Sequence, residues 1–347
     1  MRHLADALGR RPDLTLRLWA PPGDRHPAVM DATVAAEAVW LARLMHAGGI
    51  AHLYRQGGVR GPLEVMRLLR YLSRAYRRKP SPQLYHVNWL QNALPLPADG
   101  RPLLVTVLGT DLQLLRLPLM KSMLRRVLRG RSALIAPNAD WMVAPLRRWF
   151  GDLAEVRFLP FGIDPDWFAL PRRTQARPRW LVISRLTTAK LGPLFGVAAP
   201  AFLDGSRELH LIGPMQERIE IPHWVHYHGP RGPEELKTTW FPEAAGLLTL
   251  SQHAEGRPQV ILEAMAAGLP VIASNIPAHA SFLSHGLTGW LHTTEASLDR
   301  ALACMESPDG ATQAAAARDW VRKEVGTWDD CAARYALAYR ELLAVSP

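Results

Sequence analysis

The stretch Glu255-Gly256-Arg257-Pro258-Gln259-Val260-Ile261-Leu262-Glu263 carries two glutamates with seven residues between them. Gly256 and Pro258 make the first half a loop. The second half starts a run of good helix formers that continues to Ala267 and is stopped by Gly268-Leu269-Pro270. Eight positions correspond to about 2.2 helical turns, a rise of roughly 12 Å between the two carboxylates. The first-turn N–H groups around Gln259 and Val260 have no partner inside such a helix, and they suit an anion such as a diphosphate. Glu263, farther along, suits the hydroxyls of a ribose.

Upstream, Ala245-Gly-Leu-Leu-Thr-Leu250 reads as a buried strand that delivers Glu255 to its C-terminal end. Open α/β sheets bind ligands at that edge. A second strand, Trp180-Leu-Val-Ile-Ser184, ends in Arg185 and is followed by Lys190. A surface Arg or Lys ordinarily serves solubility. Two cations on the neighbouring crest of one sheet can instead neutralise a diphosphate.

These segments, in order, resemble the retaining glycosyltransferases of family 4, which have the GT-B fold. The resemblance rests on the two-glutamate segment, on Val182-Ile-Ser-Arg185-Leu-Thr-Thr-Ala-Lys190, on Phe158-Leu-Pro-Phe-Gly162-Ile-Asp164-Pro-Asp-Trp-Phe168, on Gly109-Thr110-Asp111, and on Pro270-Val-Ile-Ala273. It spans about residues 84 to 345. It implies two Rossmann-like domains facing a cleft and transfer of a sugar from a nucleotide diphosphate sugar to a glycan or lipid-linked acceptor, in surface glycan or glycolipid synthesis. No metal or other cofactor is implied. By the same resemblance Arg185, Lys190 and Glu255 are the catalytic residues. The donor is held by Arg185, Lys190, Tyr227, Gly256, Gln259, Val260 and Glu263. His86, Gly109, Thr110 and Asp111 face the cleft or acceptor. Two departures stand out. Leu108 occupies a position where the family more often has a histidine against the donor sugar, and His279 stands in a loop that approaches the donor. The alternatives are an inactive donor-binding subunit, favoured by Leu108, and a nucleotide-sugar epimerase, disfavoured by the paired glutamates.

At 347 residues the chain is long for one core, and two domains are expected. Residues 1–165 read as the acceptor-side domain, 166–178 as a Pro- and Arg-rich linker, and 179–325 as the donor domain. The last helix, Trp328 to Leu343, is expected to cross back to the first domain, as it commonly does in GT-B proteins. Strands alternate with helices throughout, the signature of parallel βα units. Strands are expected near 14–20, 83–89, 102–108, 132–136, 180–184, 208–212, 223–227, 245–250 and 270–274. Met1 already lies in the first helix, so the strand and Gly-rich turn with which the family opens are expected upstream of it; Gly48-Gly49 and Gly57-Gly58 follow a helix and read as stops and turns. The first domain therefore appears as a sheet lacking its first strand.

The net charge is +10, almost all of the excess from arginine. That implies an anionic partner without naming it. No helix-turn-helix, zinc spacing or aromatic RNA-binding signature points to nucleic acid. Arg67, Arg70, Arg74, Arg77 and Arg78 share one face of a helix expected over 62–78. Lys121, Arg125, Arg126, Arg129 and Arg131 lie on a second, expected over 117–130. Each reads either as an ordinary amphipathic surface helix or as a basic face docking on an anionic membrane. His223, His226 and His228 have no carboxylate or cysteine at metal-ligand spacing. Two cysteines, no signal-like start and no apolar run of spanning length fit a reduced cytoplasmic protein, peripheral at the inner membrane face if the basic helix docks.

Overall fold

The computed structural model describes residues 1–345 except 51, 52, 54–56, 58, 110, 174, 254 and 294–296. Two compact units are present. One comprises Met1–Phe161 with Trp328–Pro347, the other Gly162–Thr327.

In the first unit, β3 (Tyr85–Asn88), β4 (Leu103–Val107), β5 (Ala133–Pro137) and β6 (Glu155–Val156) form a parallel sheet in chain order. β4 and β5 are buried at every position, as expected of parallel strands covered on both faces. Leu103, Val105 and Val107 pack beneath the helices Met120–Leu128 and Val143–Phe150. Leu104, Leu134 and Ala136 pack on the other face against the helices Arg2–Gly9 and Trp328–Ala344. The segment expected to be a strand over 14–20 pairs only at β1 (Arg17–Leu18), with β2 (Met30–Asp31), in a separate two-stranded sheet. Among the described residues no strand pairs with the outer edge of β3, so this unit contains one flank of a doubly wound sheet.

A polar chain crosses the lower layer. Thr106 is fully buried within β4 and its hydroxyl meets Tyr335 Oη at 3.0 Å and His86 Nε2 at 2.8 Å. His86 Nδ1 lies 2.6 Å from Tyr339 Oη. Buried hydroxyls need partners, and here they fasten the C-terminal helix to β3 and β4.

In the second unit, β7 (Arg179–Ile183), β8 (Glu208–Ile212), β9 (Val225–Tyr227), β10 (Gly246–Thr249), β11 (Val271–Ser274) and β12 (Trp290–His292) form one parallel sheet in the order β12-β11-β10-β7-β8-β9. The chain winds outward from β7 to β9, returns to the middle, and winds outward again from β10 to β12. This is the Rossmann order, with its topological switch between β7 and β10. The Gln259–Ala266 helix buries Ile261, Leu262, Ala264, Met265 and Ala266 in the core.

The basic helices differ from expectation. The first runs Arg60–Tyr76, with Arg67, Arg70, Arg74 and Arg77 exposed. Arg78 turns inward and pairs with the buried Glu37. On the second, Lys121 lies over the Trp149 ring, Arg125 pairs with Asp152, and the side chain of Arg131, only 4% exposed, pairs with Asp99. Those three charges serve packing within the unit. No described helix is long and apolar enough to cross a membrane.

Candidate active site

The switch between β7 and β10 brings together Lys190 and Glu255, 65 positions apart in sequence. Beyond β7 the chain passes Ser184 and Arg185 and enters a short helix, Thr188–Leu191, whose N-cap Thr187 accepts the Lys190 N–H through its hydroxyl at 3.2 Å. Beyond β10, Ser251 leads to Glu255. The Lys190 ammonium and the Glu255 carboxylate form an ion pair, each side chain only 14% and 13% exposed.

Two glycines make this approach possible. Gly192 ends the short helix with φ +56, and a Cβ there would lie 2.2 Å from the Leu250 carbonyl. Its absence lets the helix close on the end of β10, where the Gln252 N–H donates to the Ala189 carbonyl at 2.9 Å. Gly213 follows β8 with φ +144, and a Cβ would lie 1.8 Å from the Ser184 carbonyl, next to Arg185. No side chain fits there. The Ile212-Gly213-Pro214 sequence signals a turn, but not this close backbone approach.

Glu255 is held from behind. Ser251 Oγ, itself buried, donates to Glu255 Oε1 at 3.1 Å. Ser274 Oγ donates to the Ser251 carbonyl at 2.5 Å. His279 Nδ1 lies 2.9 Å from the Ser274 carbonyl, which can only accept, so Nδ1 carries the hydrogen and Nε2 is a bare acceptor. That Nε2 is buried without a partner. Burial holds the imidazole below its ordinary pKa, with Glu255 pulling the other way. His279 therefore supports the site as a neutral ring.

Eight residues on, Glu263 is half-buried, and no described residue donates a hydrogen bond to its carboxylate. Burial, reinforced by the charge of Asp164, pushes its pKa up to about 7 against the opposing effect of Lys237. Lys237 is committed elsewhere, to Glu234 at 2.8 Å, Asp166 at 3.0 Å and Asp164 at 3.4 Å. Burial disfavours its charge, but these carboxylates outweigh burial and raise its pKa. Gln259 is drawn to the same segment, its Nε2 donating to the Gly162 carbonyl at 2.8 Å. Val260 packs on the core, and the first-turn N–H groups of this helix have no intrahelical acceptor. Gly256 follows Glu255 in the loop. Arg185 is exposed, without a carboxylate partner among the described residues. Tyr227 donates its hydroxyl to the Gly213 carbonyl at 3.0 Å, which places its ring beside the β8 crest.

Two residues of the first unit expected to face the cleft, His86 and Asp111, have their polar atoms engaged inside the unit. Both ring nitrogens of His86 are occupied by Tyr339 and Thr106, and burial lowers its pKa to about 4. It is an interior fastener. Asp111 is fully buried, its carboxylate accepting the Leu90 and Leu108 N–H groups at 2.7 Å each. It clamps two loop backbones. Gly109 is buried beside it, and Thr110 lies outside the described residues. At the sheet edge His228 stacks on His210 and lies tilted against Trp240, and His226 lies tilted against His210. Among the described residues no group of three His, Cys, Asp or Glu is placed to hold a metal ion.

Comparison with known proteins converges on this sheet. Residues 177–306 match the family profile described as Glycosyl transferases group 1. The chain is 26% identical over 288 residues to a GDP-mannose-dependent alpha-(1-6)-phosphatidylinositol monomannoside mannosyltransferase of Mycobacterium tuberculosis, covering 72% of this chain and 74% of the relative. Among solved structures it resembles a sucrose-phosphate synthase from Thermosynechococcus elongatus, with TM-score 0.74, 20% identity and coverage of 99% and 93% of the two chains. Anabaena HepE in complex with UDP is similar with TM-score 0.61 and 16% identity, over 80% and 82%. The fold is that of the GT-B glycosyltransferases, and the matched domain is a glycosyltransferase domain.

Gly213→Ala forces a methyl group into the Ser184 carbonyl. It is expected to destabilise the protein by roughly 2–4 kcal/mol and to weaken nucleotide binding through the displaced crest. Denaturant unfolding and calorimetry check both; a stability equal to that of the parent protein would contradict the close approach.

Proposed function

We propose that the protein is a retaining glycosyltransferase that moves a sugar from a nucleoside diphosphate sugar to an acceptor hydroxyl. The observation that carries this reading is the meeting of Lys190 and Glu255 at the switch point, with Glu263 one short helix away. Arg185 and Lys190 hold the diphosphate, joined by the free N–H groups around Gln259 and Val260. Glu263 accepts from the ribose hydroxyls, and Tyr227 flanks the base. Glu255, released from Lys190 when the diphosphate takes that cation, contacts the donor sugar.

The reaction then needs no protein nucleophile. The bond from the anomeric carbon to the phosphate oxygen breaks, and a bond to the acceptor oxygen forms on the same face. The acceptor proton passes to the leaving phosphate. Arg185 and Lys190 stabilise the charge that develops on the departing nucleoside diphosphate. No metal ion is assigned a part. The mycobacterial relative's name supplies the donor and acceptor to try first: GDP-mannose and a phosphatidylinositol-linked mannoside.

A lipid-linked acceptor agrees with the Arg60–Tyr76 helix. It exposes Leu63 and Met66, at 53% and 62%, beside Arg67, Arg70, Arg74 and Arg77. Apolar side chains among cations suit an anionic membrane surface, at the cytoplasmic face.

Three outcomes test this reading. Glu255→Gln is expected to lower turnover about a hundredfold while nucleotide affinity is kept or raised, because Lys190 loses its competing carboxylate; unchanged turnover of GDP-mannose would remove Glu255 from the mechanism.

Glu263 links donor binding to pH. With the free carboxyl at about 7, the empty protein holds a proton there below neutrality. Ribose hydroxyls donate more strongly, and to both oxygens, when the carboxyl is ionised. GDP affinity should therefore rise as pH rises from 6 towards 8, by at most about tenfold per pH unit below the pKa. Glu263→Gln should remove that component. Calorimetry in buffers of different ionisation enthalpy reads the released proton, and an equal pH dependence in parent and variant would refute the link.

Changing Arg70, Arg74 and Arg77 together to glutamine should release the protein from anionic vesicles by about 1 kcal/mol per charge, measured by flotation. Salt-insensitive binding, unchanged in the variant, would make the helix an ordinary surface element.

A further inference from the structure

The second unit has another concave site, at the end of the sheet opposite the paired Lys190 and Glu255. It lies against Arg179, Ala245 and Pro270, where β7, β10 and β11 begin, and has a volume of about 780 Å³. The strands separate it from the crest by roughly 17 Å, the length of five extended residues. One wall is the helix Pro308–Trp320, which presents Ala311 and Ala315 and then Arg318, with Arg322 beyond its end. The facing wall is made by Arg172, Arg173, Gln175, Arg177, Pro178 and Arg179. Six arginines and three carboxylates line the cavity, an excess of three positive charges.

Not all of those arginines are neutralised. Arg179 is paired with Glu243 at 2.6 Å and with Glu208 at 3.2 Å. Arg322 has Asp319 at 3.6 Å. Arg172 and Arg318 have no carboxylate at ion-pair distance among the described residues; each donates only to a backbone carbonyl, of Phe241 and Phe168 respectively. Arg318 lies in the last turn of its helix, where a cation complements the helix dipole. That explains one charge. Arg172 belongs to a different segment, outside any helix, and still lines the same cavity. Arg322 joins them, its guanidinium over the Phe168 ring at 5.3 Å. Guanidinium groups from two separate segments line one groove, whose uncharged lining is largely alanine, glycine and proline.

We infer that this groove is a second anion site, which takes the phosphate group of an elongated ligand between Arg172, Arg318 and Arg322 and lays the rest of the molecule along the Ala311–Ala315 wall. Forked guanidinium donors match phosphate oxygens. The small side chains leave room for the body of the ligand. The inference does not rest on the reaction assigned to the crest.

The test uses the full chain with Arg185 and Lys190 both changed to glutamine, so that the crest does not compete, and inorganic pyrophosphate as the probe. One saturable site is expected by calorimetry. Adding Arg172→Gln and Arg318→Gln should weaken it at least about tenfold, because two charged donors are lost. Arg318→Lys, which keeps charge but loses the fork, should fall between. Thermal unfolding without probe shows that the variants are folded. Absence of saturable binding in the crest variant, or binding unchanged by the groove substitutions, overturns the inference. Competition then distinguishes the source of the phosphate: displacement of pyrophosphate by phosphatidylglycerol vesicles identifies a lipid headgroup, and displacement only by soluble sugar phosphates identifies a free ligand.

Discussion

The order of strands reverses between β7 and β10, and the chemistry of the second unit depends on that reversal. Where consecutive strands lie side by side, their connecting helices cover the same face and crowd the sheet end. At the reversal the two connections leave towards opposite faces, and the strand ends stay open. Both glutamates and both cations of the proposed donor site come from the segments that leave β7 and β10. Everything else around them maintains this opening. Gly192 and Gly213 remove side chains from the two tightest approaches, and Ser251, Ser274 and His279 brace Glu255 from the next strand outward.

Much of this was legible in the sequence because it depends on local rules. Continuous apolar runs ending in polar or charged residues locate β7 and β10, and the Gly268-Leu-Pro270 stop bounds the helix that bears Glu263. The joining of Lys190 to Glu255 was not legible as a contact, since it depends on strand order, which no local pattern carries. The polar residues of the first unit were misleading for a related reason. His86 and Asp111 are spaced like site residues, yet the chain uses them to satisfy buried backbone and hydroxyl groups. Only the position of the C-terminal helix, with Tyr335 and Tyr339 facing β3 and β4, distinguishes a fastener from a ligand contact. Arg78 and Arg131 show the same limit. Each belongs to a basic stripe by periodicity, and each is bound to a carboxylate supplied from a distant turn or helix.

Both units close some of their buried polar groups and leave others open. In the first, several are closed among themselves: Thr106 with the rings of His86 and Tyr335, Asp111 with two N–H groups, and Glu37 with Arg78, while the side-chain oxygens of Asn88, Asn92 and Asn138 are buried without a partner. In the second, several remain open. Glu263 lacks a donor, His279 Nε2 has no partner, and Arg185 has no counter-ion among the described residues. Unsatisfied buried groups are costly, and two of them, Ser184 Oγ and His279 Nε2, lie in the segments that follow β7 and β11.

The ion pair between Lys190 and Glu255 has a consequence for selectivity among visitors to the empty site. Both charges are largely screened from water and satisfy each other. A neutral sugar offers Lys190 nothing in exchange for its carboxylate and so finds Glu255 already engaged. A diphosphate brings more negative charge than the carboxylate it displaces, and frees Glu255 at the moment the sugar attached to that diphosphate arrives. In the proposed reaction, entry is thus an exchange of anions, open to diphosphates and closed to neutral sugars, and a nucleoside diphosphate sugar brings its sugar to Glu255 as the exchange is made.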